Sequence, residues 1–494
     1  MRFQIRFVAR FLVLMSPSFL FSENVPHWPQ FRGPNATGIA EQQAAPVEFG
    51  PGKHLLWSQT VPPGHSSPAI WGNRVFLTGF DKDNRKLELI CLSRETGAVL
   101  WRQAIAAAEI EKVHQVSSPA SATPVVDGER VITYFGSSGL AAFDFEGKQQ
   151  WTLPLAIPKT RFGSGTSPII AGDLLILNRA DNEEGYLLAV DRRSGKIAWK
   201  QAYSATMGRQ AESYSTPVIW KDQIILHRAG VIDAYDLKDG KRRWWLNAAT
   251  TGTSTAVSDK DTIYVASWFP FGEADQMVPL PDFTTLIKQY DKNGDNQISE
   301  SEFPADMAAV RRPDTPDVPG ATIFVKPFFK AVDQNKDGLL QEVEWKLVGE
   351  NVAKAKIDHG VLAFKPAGEG DVTASVVWRE KTAIPEVPSP LLYENRLYLV
   401  RNGGIVTCLD AQSGKLIYRA RVGAGGPYYS SPIAVGSKIY VASGEGTIVV
   451  LSAGDNLNVL ARNSLGEEIF STPAVAAGTL YVRTVRQLYA FGGK

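Results

Sequence analysis

Two twelve-residue stretches carry the oxygen donors that a hard divalent cation needs. The first runs Asp291-Lys292-Asn293-Gly294-Asp295-Asn296-Gln297-Ile298-Ser299-Glu300-Ser301-Glu302, and the second Asp333-Gln334-Asn335-Lys336-Asp337-Gly338-Leu339-Leu340-Gln341-Glu342-Val343-Glu344. Calcium takes about six to eight oxygens at ~2.3–2.6 Å. Positions 1, 3 and 5 offer side-chain oxygens, from Asp291, Asn293 and Asp295 and again from Asp333, Asn335 and Asp337. Position 7 offers a backbone carbonyl, Gln297 or Leu339, and position 12 a carboxylate that can bind through both oxygens, Glu302 or Glu344. Ser299 and Gln341, at position 9, would act through water. The pattern predicts two Ca²⁺ sites. Asn296 stands where glycine is usual; asparagine tolerates the left-handed backbone, so weakened rather than lost binding is expected there.

The flanks agree with an EF-hand pair. Phe283, Leu286, Ile287 and Tyr290 fall at helical spacing before the first loop, and Phe324, Phe328, Phe329 and Val332 before the second. Pro304 should shorten the helix leaving the first loop. This small α-helical unit, residues 269–358, interrupts a chain that otherwise reads as β. The apolar run Tyr264-Val265-Ala266-Ser267-Trp268 precedes it and His359-Gly360-Val361-Leu362-Ala363-Phe364 follows it.

Outside the insert, one phrase repeats. Ala189-Val190-Asp191-Arg192-Arg193-Ser194-Gly195-Lys196-Ile197-Ala198-Trp199 is a strand end, a tight turn closed by Gly195, and a second strand ending in Trp199. Asp supplies acceptors for the turn's N–H groups, and Gly the positive φ. Versions end at Trp101, Trp151, Trp244 and Tyr418. A second phrase, Ser/Thr usually followed by Pro, opens each unit: Ser67-Pro68, Thr123-Pro124, Ser167-Pro168, Thr216-Pro217, Thr255-Ala256, Ser389-Pro390, Ser431-Pro432 and Thr472-Pro473. Consecutive openings lie 39 to 56 residues apart except one step of 134, which must hold the insert. A period of about 40–45 residues with strands inside each unit is the mark of a β-propeller. The expectation is an all-β, eight-bladed β-propeller with the EF-hand pair inserted in blade five, the propeller occupying residues 54–268 and 359–494. The eighth unit stops at Phe491 without its last strand, and His54-Leu55-Leu56-Trp57-Ser58-Gln59-Thr60-Val61 reads as the N-terminal strand that closes the ring and removes an open edge.

Residues 1–22 combine Arg2, Arg6 and Arg10 with a short broken apolar run, the pattern of a secretory signal peptide. Residues 23–53 read as an arm lying on the ring, anchored by Trp28 and Phe31. A formal charge of +1 gives no basis for nucleic-acid binding, and no segment reaches membrane-spanning length. Cys91 and Cys408 fall in blades one and six, too far apart for a disulfide, so two buried thiols are expected. Arg179, Arg228, Arg401 and Arg483 end the second strand of four units. They are candidate ligand-binding residues, a collar for a carboxylate or phosphate, or else ties between blades. His65, Tyr214, Tyr429 and Phe470 precede unit openings and are placed at the inner rim. Loops between second and third strands share a face with the inter-blade connections, so the insert should sit near the channel mouth.

The Asp-to-Trp phrase resembles the tryptophan-docking repeat of pyrroloquinoline-quinone (PQQ) dehydrogenases and of outer-membrane-protein assembly lipoproteins. The opening Trp28-Pro29-Gln30-Phe31-Arg32-Gly33-Pro34 resembles the start of PQQ-repeat-like secreted proteins. The likeness to the PQQ dehydrogenases implies bound PQQ, a catalytic Ca²⁺ and an Asp base, with adjacent cysteines against the cofactor. Cys91 and Cys408 are not adjacent, and the family's cofactor residues have no counterpart here residue by residue. The likeness to the assembly lipoproteins implies a rigid disc that offers its loops to a protein, but no lipidated Cys follows the apolar leader. There is no HExxH, GxSxG or phosphate loop, so no catalytic residue is assigned. The sequence therefore predicts a monomeric periplasmic or secreted Ca²⁺-binding propeller whose partner is a protein or small anionic ligand at the insert-bearing face. A PQQ-dependent dehydrogenase-like oxidoreductase is the alternative.

Overall fold

The computed structural model describes residues 27–41, 43–203, 212–318 and 320–493. The signal-peptide expectation for residues 1–22 lies outside them. Eight antiparallel sheets follow one another around a ring. In chain order their inner strands are Ala69–Trp71, Val125–Val126, Ile169–Ala171, Val218–Trp220, Val257–Ser258, Leu391–Tyr393, Ile433–Val435 and Ala474–Ala476. Each sheet runs outward through three further strands, and the second and third are the most buried because both faces pack on neighbouring blades. The last sheet has only three C-terminal strands of its own. Leu55–Thr60 pairs antiparallel with Gln487–Gly492 as its fourth, so a strand from the other end of the chain closes the ring.

Two sets of contacts hold the ring, and both come from the repeated phrases. On the outside, Trp151 lies against the turn at Gly195, where an added Cβ would sit 2.7 Å from the ring, and its Nε1 donates to Arg192 O at 3.1 Å. Gly195 also has φ 72°, so both space and backbone exclude a side chain. Trp57, Trp101, Trp199 and Trp378 repeat the arrangement on the turns of the next blades.

On the inside, the Ser/Thr residues that open the units form a closed circuit. Ser67 N–H donates to Thr123 Oγ1 (3.0 Å), Thr123 to Ser167 (2.9 Å), Ser167 to Thr216 (3.2 Å) and Thr216 to Thr255 (3.1 Å). Thr255 donates to Ser389 (3.0 Å), Ser389 to Ser431 (3.0 Å), Ser431 to Thr472 (3.0 Å) and Thr472 back to Ser67 (3.0 Å). All eight are buried. A backbone N–H at this place has no strand to pair with, and a short hydroxyl from the next blade satisfies it. The following proline brings no N–H of its own, which suits the first residue of an innermost strand.

The arm, described from His27 on, crosses the end of the ring at the turns between first and second strands. Trp28 bridges to Ile70, Pro29 O accepts Val126 N–H at 2.8 Å, and Ile39–Ala40 pairs parallel with Ala434–Val435. Arg32 is fully buried and reaches Pro390 O at 2.6 Å, joining the arm to the sixth inner strand. Cys91 and Cys408 are free and buried in separate sheets.

Thr216→Val keeps shape but leaves the Ser167 N–H without its acceptor. A loss of about 1–3 kcal/mol is expected, read as a lower urea midpoint at unchanged slope.

Candidate functional site

The strands Ile263–Ser267 and Gly360–Phe364 pair directly in the fifth sheet, so the residues between them leave and return at one hairpin end. They build their own core from Leu286, Ile298, Phe303, Phe329, Leu340 and Trp345. The helix Phe283–Tyr290 enters the first loop, with Asp282 accepting Thr285 N–H at its start. The helix Glu342–Asp358 leaves the second, closed at its start by a reciprocal cap between Gln341 and Glu344. Two expectations need correction. No helix follows the first loop; beyond Pro304 the chain forms the strand Ala308–Arg311, paired with Thr322–Phe324. Phe324 therefore lies in a strand, and the helix before the second loop shrinks to Phe329–Val332 behind a single 3₁₀ turn at Lys326–Phe328. The hairpin accounts for the first difference and takes Phe324 from the second; Pro327, in the first turn of the 3₁₀ helix, can begin a helix but cannot continue one from upstream.

The two loops share one backbone path. Positions 4 and 6 are left-handed in both, Gly294 (φ 76°) and Asn296 (φ 60°), then Lys336 (φ 62°) and Gly338 (φ 83°). Asn296 thus adopts the conformation glycine holds in the other loop. In the first loop, Asp291 accepts Gly294 N–H (2.7 Å) and Asn296 N–H (2.9 Å), Asn293 Oδ1 accepts Asp295 N–H (2.9 Å), and Asp295 accepts Gln297 N–H (2.8 Å). Glu302 folds back on Lys292 N–H (3.1 Å) and Ser299 N–H (3.0 Å). These bonds, Ser299 first, hold its carboxyl below the ordinary range. In the second loop, Asp333 Oδ2 accepts Gly338 N–H (2.9 Å), Asn335 accepts Asp337 N–H (2.9 Å), and Asp337 accepts Leu339 N–H (2.9 Å). Glu344 bridges Gln334 N–H (2.8 Å) and Gln341 N–H (3.0 Å). Ile298–Ser299 and Leu339–Leu340 pair antiparallel, joining the loops back to back. Asp333 is buried, and its Oδ1 has no hydrogen-bond partner among the described residues. Among the described residues, no group of three or more His, Cys, Asp or Glu side chains is arranged so that it could hold a metal ion.

The four arginines are each engaged within the protein. Arg179 holds Asp181 (2.8 Å) and Ala156 O (2.9 Å); Arg228 holds Asp233 (2.6 Å) beneath the Tyr203 ring. Arg483 donates to Ser66 O (3.2 Å) and Pro62 O (3.1 Å), and burial pulls its guanidinium down to about 9. Arg401 meets Glu273 (3.3 Å), Asp275 (3.1 Å) and Asp314 (3.5 Å), all from the segment that departs the fifth sheet. Glu273 is 1% exposed and also accepts Ile384 N–H (2.6 Å), Ala383 N–H (3.2 Å) and His359 Nε2 (3.3 Å). Arg312 adds a pair with Glu386 at 2.9 Å, and Asp314 a second one with Arg421. The helical unit is thus clamped to the fifth and sixth blades. The sequence offered no signal for Glu273, Asp275 and Asp314 because their partners lie 86 to 128 residues away without a repeat relation.

Among the aromatic rim residues, His65 stacks on Phe470 (4.1 Å) and Phe470 on Tyr429 (4.9 Å), while Tyr214 meets Phe162 edge-on (5.5 Å).

Docked tryptophans, the inner hydroxyl circuit and the closing N-terminal strand define a ring-closed, eight-bladed β-propeller of tryptophan-docking repeats. A family model described as outer membrane protein assembly factor BamB matches residues 51–278, 358–457 and 402–492, most of the chain, and the chain belongs to that family. A second model, EF hand, matches residues 285–305, around the first loop only. The chain is 28% identical over 189 residues to the outer membrane protein assembly factor BamB of Moranella endobia (strain PCIT), covering 37% of this chain and 43% of that one. To the protein of the same name from Yersinia pestis it is 18% identical over 315 residues, covering 61% and 76%. Among solved structures, a europium-containing methanol dehydrogenase superposes with a TM-score of 0.57 at 10% identity, covering 95% of this chain and 98% of its own. The quinohemoprotein alcohol dehydrogenase from Comamonas testosteroni gives 0.57 at 12% identity, covering 95% and 81%. At such identity these structures speak for the fold alone.

Glu273→Gln would turn an amide nitrogen toward donors and leave Arg401 with less compensation. Breaking a buried pair costs about 3–5 kcal/mol. The expected readout is faster proteolysis within residues 269–358 while the propeller stays intact.

Proposed function

We propose that this chain is an exported calcium-binding propeller that serves as a protein-interaction scaffold, with Ca²⁺ in two EF-hand loops. Export is supported by the leader-like residues 1–22. No helix among the described residues is long and apolar enough to cross a membrane. The scaffold role draws on the BamB relatives, whose names describe assembly factors. The calcium role is carried by one observation above others, the buried and unpartnered Asp333 Oδ1 at the first position of a loop with left-handed residues at positions 4 and 6. Asp291, Asn293, Asp295, the Gln297 carbonyl and Glu302 would hold one ion. Asp333, Asn335, Asp337, the Leu339 carbonyl and Glu344 would hold the other. A bound ion would draw in carboxylates that now accept backbone N–H bonds of their own loops. The clamp through Glu273, Asp275 and Asp314 would pass that order on to the sixth blade.

The partner in this reading is a protein or a small anion on the face that carries the helical unit, and the working form is a monomer. Arg179, Arg228, Arg401 and Arg483 enter it as residues that shape that face, since their guanidiniums already hold protein oxygens. The alternative, a PQQ-dependent oxidoreductase, is supported by the dehydrogenase folds alone. Cys91 and Cys408, free and in separate sheets, do not supply the adjacent pair that the resemblance would require.

Calorimetric titration with Ca²⁺ should show two sites, both lost when Glu302→Gln and Glu344→Gln are combined. At a calcium level one hundred times Kd, unfolding of the insert should be opposed by about 2.7 kcal/mol per site, a shift that EGTA abolishes. Binding that survives in the double variant would refute the assignment.

A further inference from the structure

The arm passes over the axis of the ring. Pro29 O accepts Val126 N–H (2.8 Å) on the second inner strand. Three residues on, Arg32 Nη2 donates to Pro390 O (2.6 Å) at the opening of the sixth unit. In a ring of eight, the second and sixth blades stand opposite each other. Ala36 then packs with Val218 and Trp220 of the fourth blade, and Gly38 O accepts Ala434 N–H (2.8 Å) on the seventh inner strand. A segment that touches inner strands on all these sides lies over the centre, so Arg32 stands at the arm-side end of the central channel.

Its guanidinium is out of keeping with that place. Arg32 is 0% exposed. Arginine is almost never buried so fully without an acidic partner. Among the described residues no carboxylate stands near enough to support this one; burial alone acts on it and pulls it down to about 9, so it keeps its charge at neutral pH. Nη2 is engaged by Pro390 O and by Thr37 O (3.2 Å). Nε and Nη1 are buried and have no hydrogen-bond partner among the described residues. Nor has Nε1 of Trp28, whose ring lies on Gly33, next to Arg32 in the chain.

The unmet groups of this stretch are therefore all donors, and one belongs to a cation. Arginine and tryptophan N–H groups cannot turn acceptor, so no rotation of these side chains satisfies them. A water would accept from the N–H groups but leave the charge unbalanced. A large organic acid is excluded by closeness: a Cβ on Gly38 would already sit 3.1 Å from Nη2. A small anion both accepts and neutralises, and a hydrogen bond between two charged partners is the stronger kind.

We propose that a small inorganic anion of the halide class binds at the arm-side end of the central channel, accepting from the unpartnered N–H groups of Arg32 and holding the arm across the ring. The inference goes beyond the calcium reading and does not depend on it.

The test uses the full chain at saturating calcium. An anion that binds only the folded chain raises its stability by mass action. The thermal midpoint should therefore rise with sodium chloride, with an apparent affinity at least tenfold that found with sodium gluconate at equal ionic strength. Arg32→Met should remove the difference between the two salts. Crystals of protein refolded in sodium bromide should show an anomalous peak beside the Arg32 guanidinium. Midpoints that follow ionic strength alone, whichever the anion, overturn the proposal. So does density at Arg32 without an anomalous signal, which would make water the partner. Neither outcome requires Arg32→Met to fold, and a salt difference that persists in a folded Arg32→Met overturns the assignment as well.

Discussion

Eight backbone N–H groups at the inner edge of the ring have no strand to pair with, and eight hydroxyls from the neighbouring blades satisfy them. Much of the architecture follows from this. Each bond links one blade to the next, so the circuit closes only when the number of blades and the angle between them agree. The last bond, Thr472 to Ser67, joins residues 405 apart in sequence. It closes the inner edge of the sheet whose outer edge Leu55–Thr60 completes. Ring closure by hydrogen bonds and ring closure by a strand from the other end of the chain thus act on opposite edges of one sheet. Both are non-local, and their entropic cost is met only when the whole circle is present.

A scaffold closed in this way tolerates an insertion. The helical unit leaves and returns through two adjacent, directly paired strands, Ile263–Ser267 and Gly360–Phe364, so the inner circuit does not register its presence. Thr255 donates to Ser389 across 134 residues at the same 3.0 Å found between blades without an insert. The unit is not left hanging from its hairpin, however. Glu273 gathers two backbone N–H groups, one arginine and one histidine in a buried site, a geometry in which a carboxylate is well compensated and its removal is not.

Arginines at one repeat position show how a shared sequence place acquires different work. Arg228 faces an aspartate on its own sheet, Arg483 faces carbonyls of the ring closure, and Arg401 faces the carboxylates of an added unit. The repeat fixed where the guanidinium starts. What stood opposite it depended on which connection passed overhead.

The amino-acid order alone determined the number of units, the closing strand, and the two loops with their oxygen donors. Those features are local or periodic: a turn needs its Asp and Gly, a strand its apolar run, a loop its alternate oxygens. It did not reveal that the Ser/Thr openings form one circuit, although every member was visible, because a bond from one unit to the next requires knowing that the units curve into a circle. It misjudged the approach to the second loop, where Phe324 to Val332 had helical spacing but a hairpin and Pro327 took its first half. Glu273 was an ordinary acid in the sequence. Only the tertiary structure surrounded it with donors, because burial and partners are set by segments distant along the chain, where no local pattern reports them.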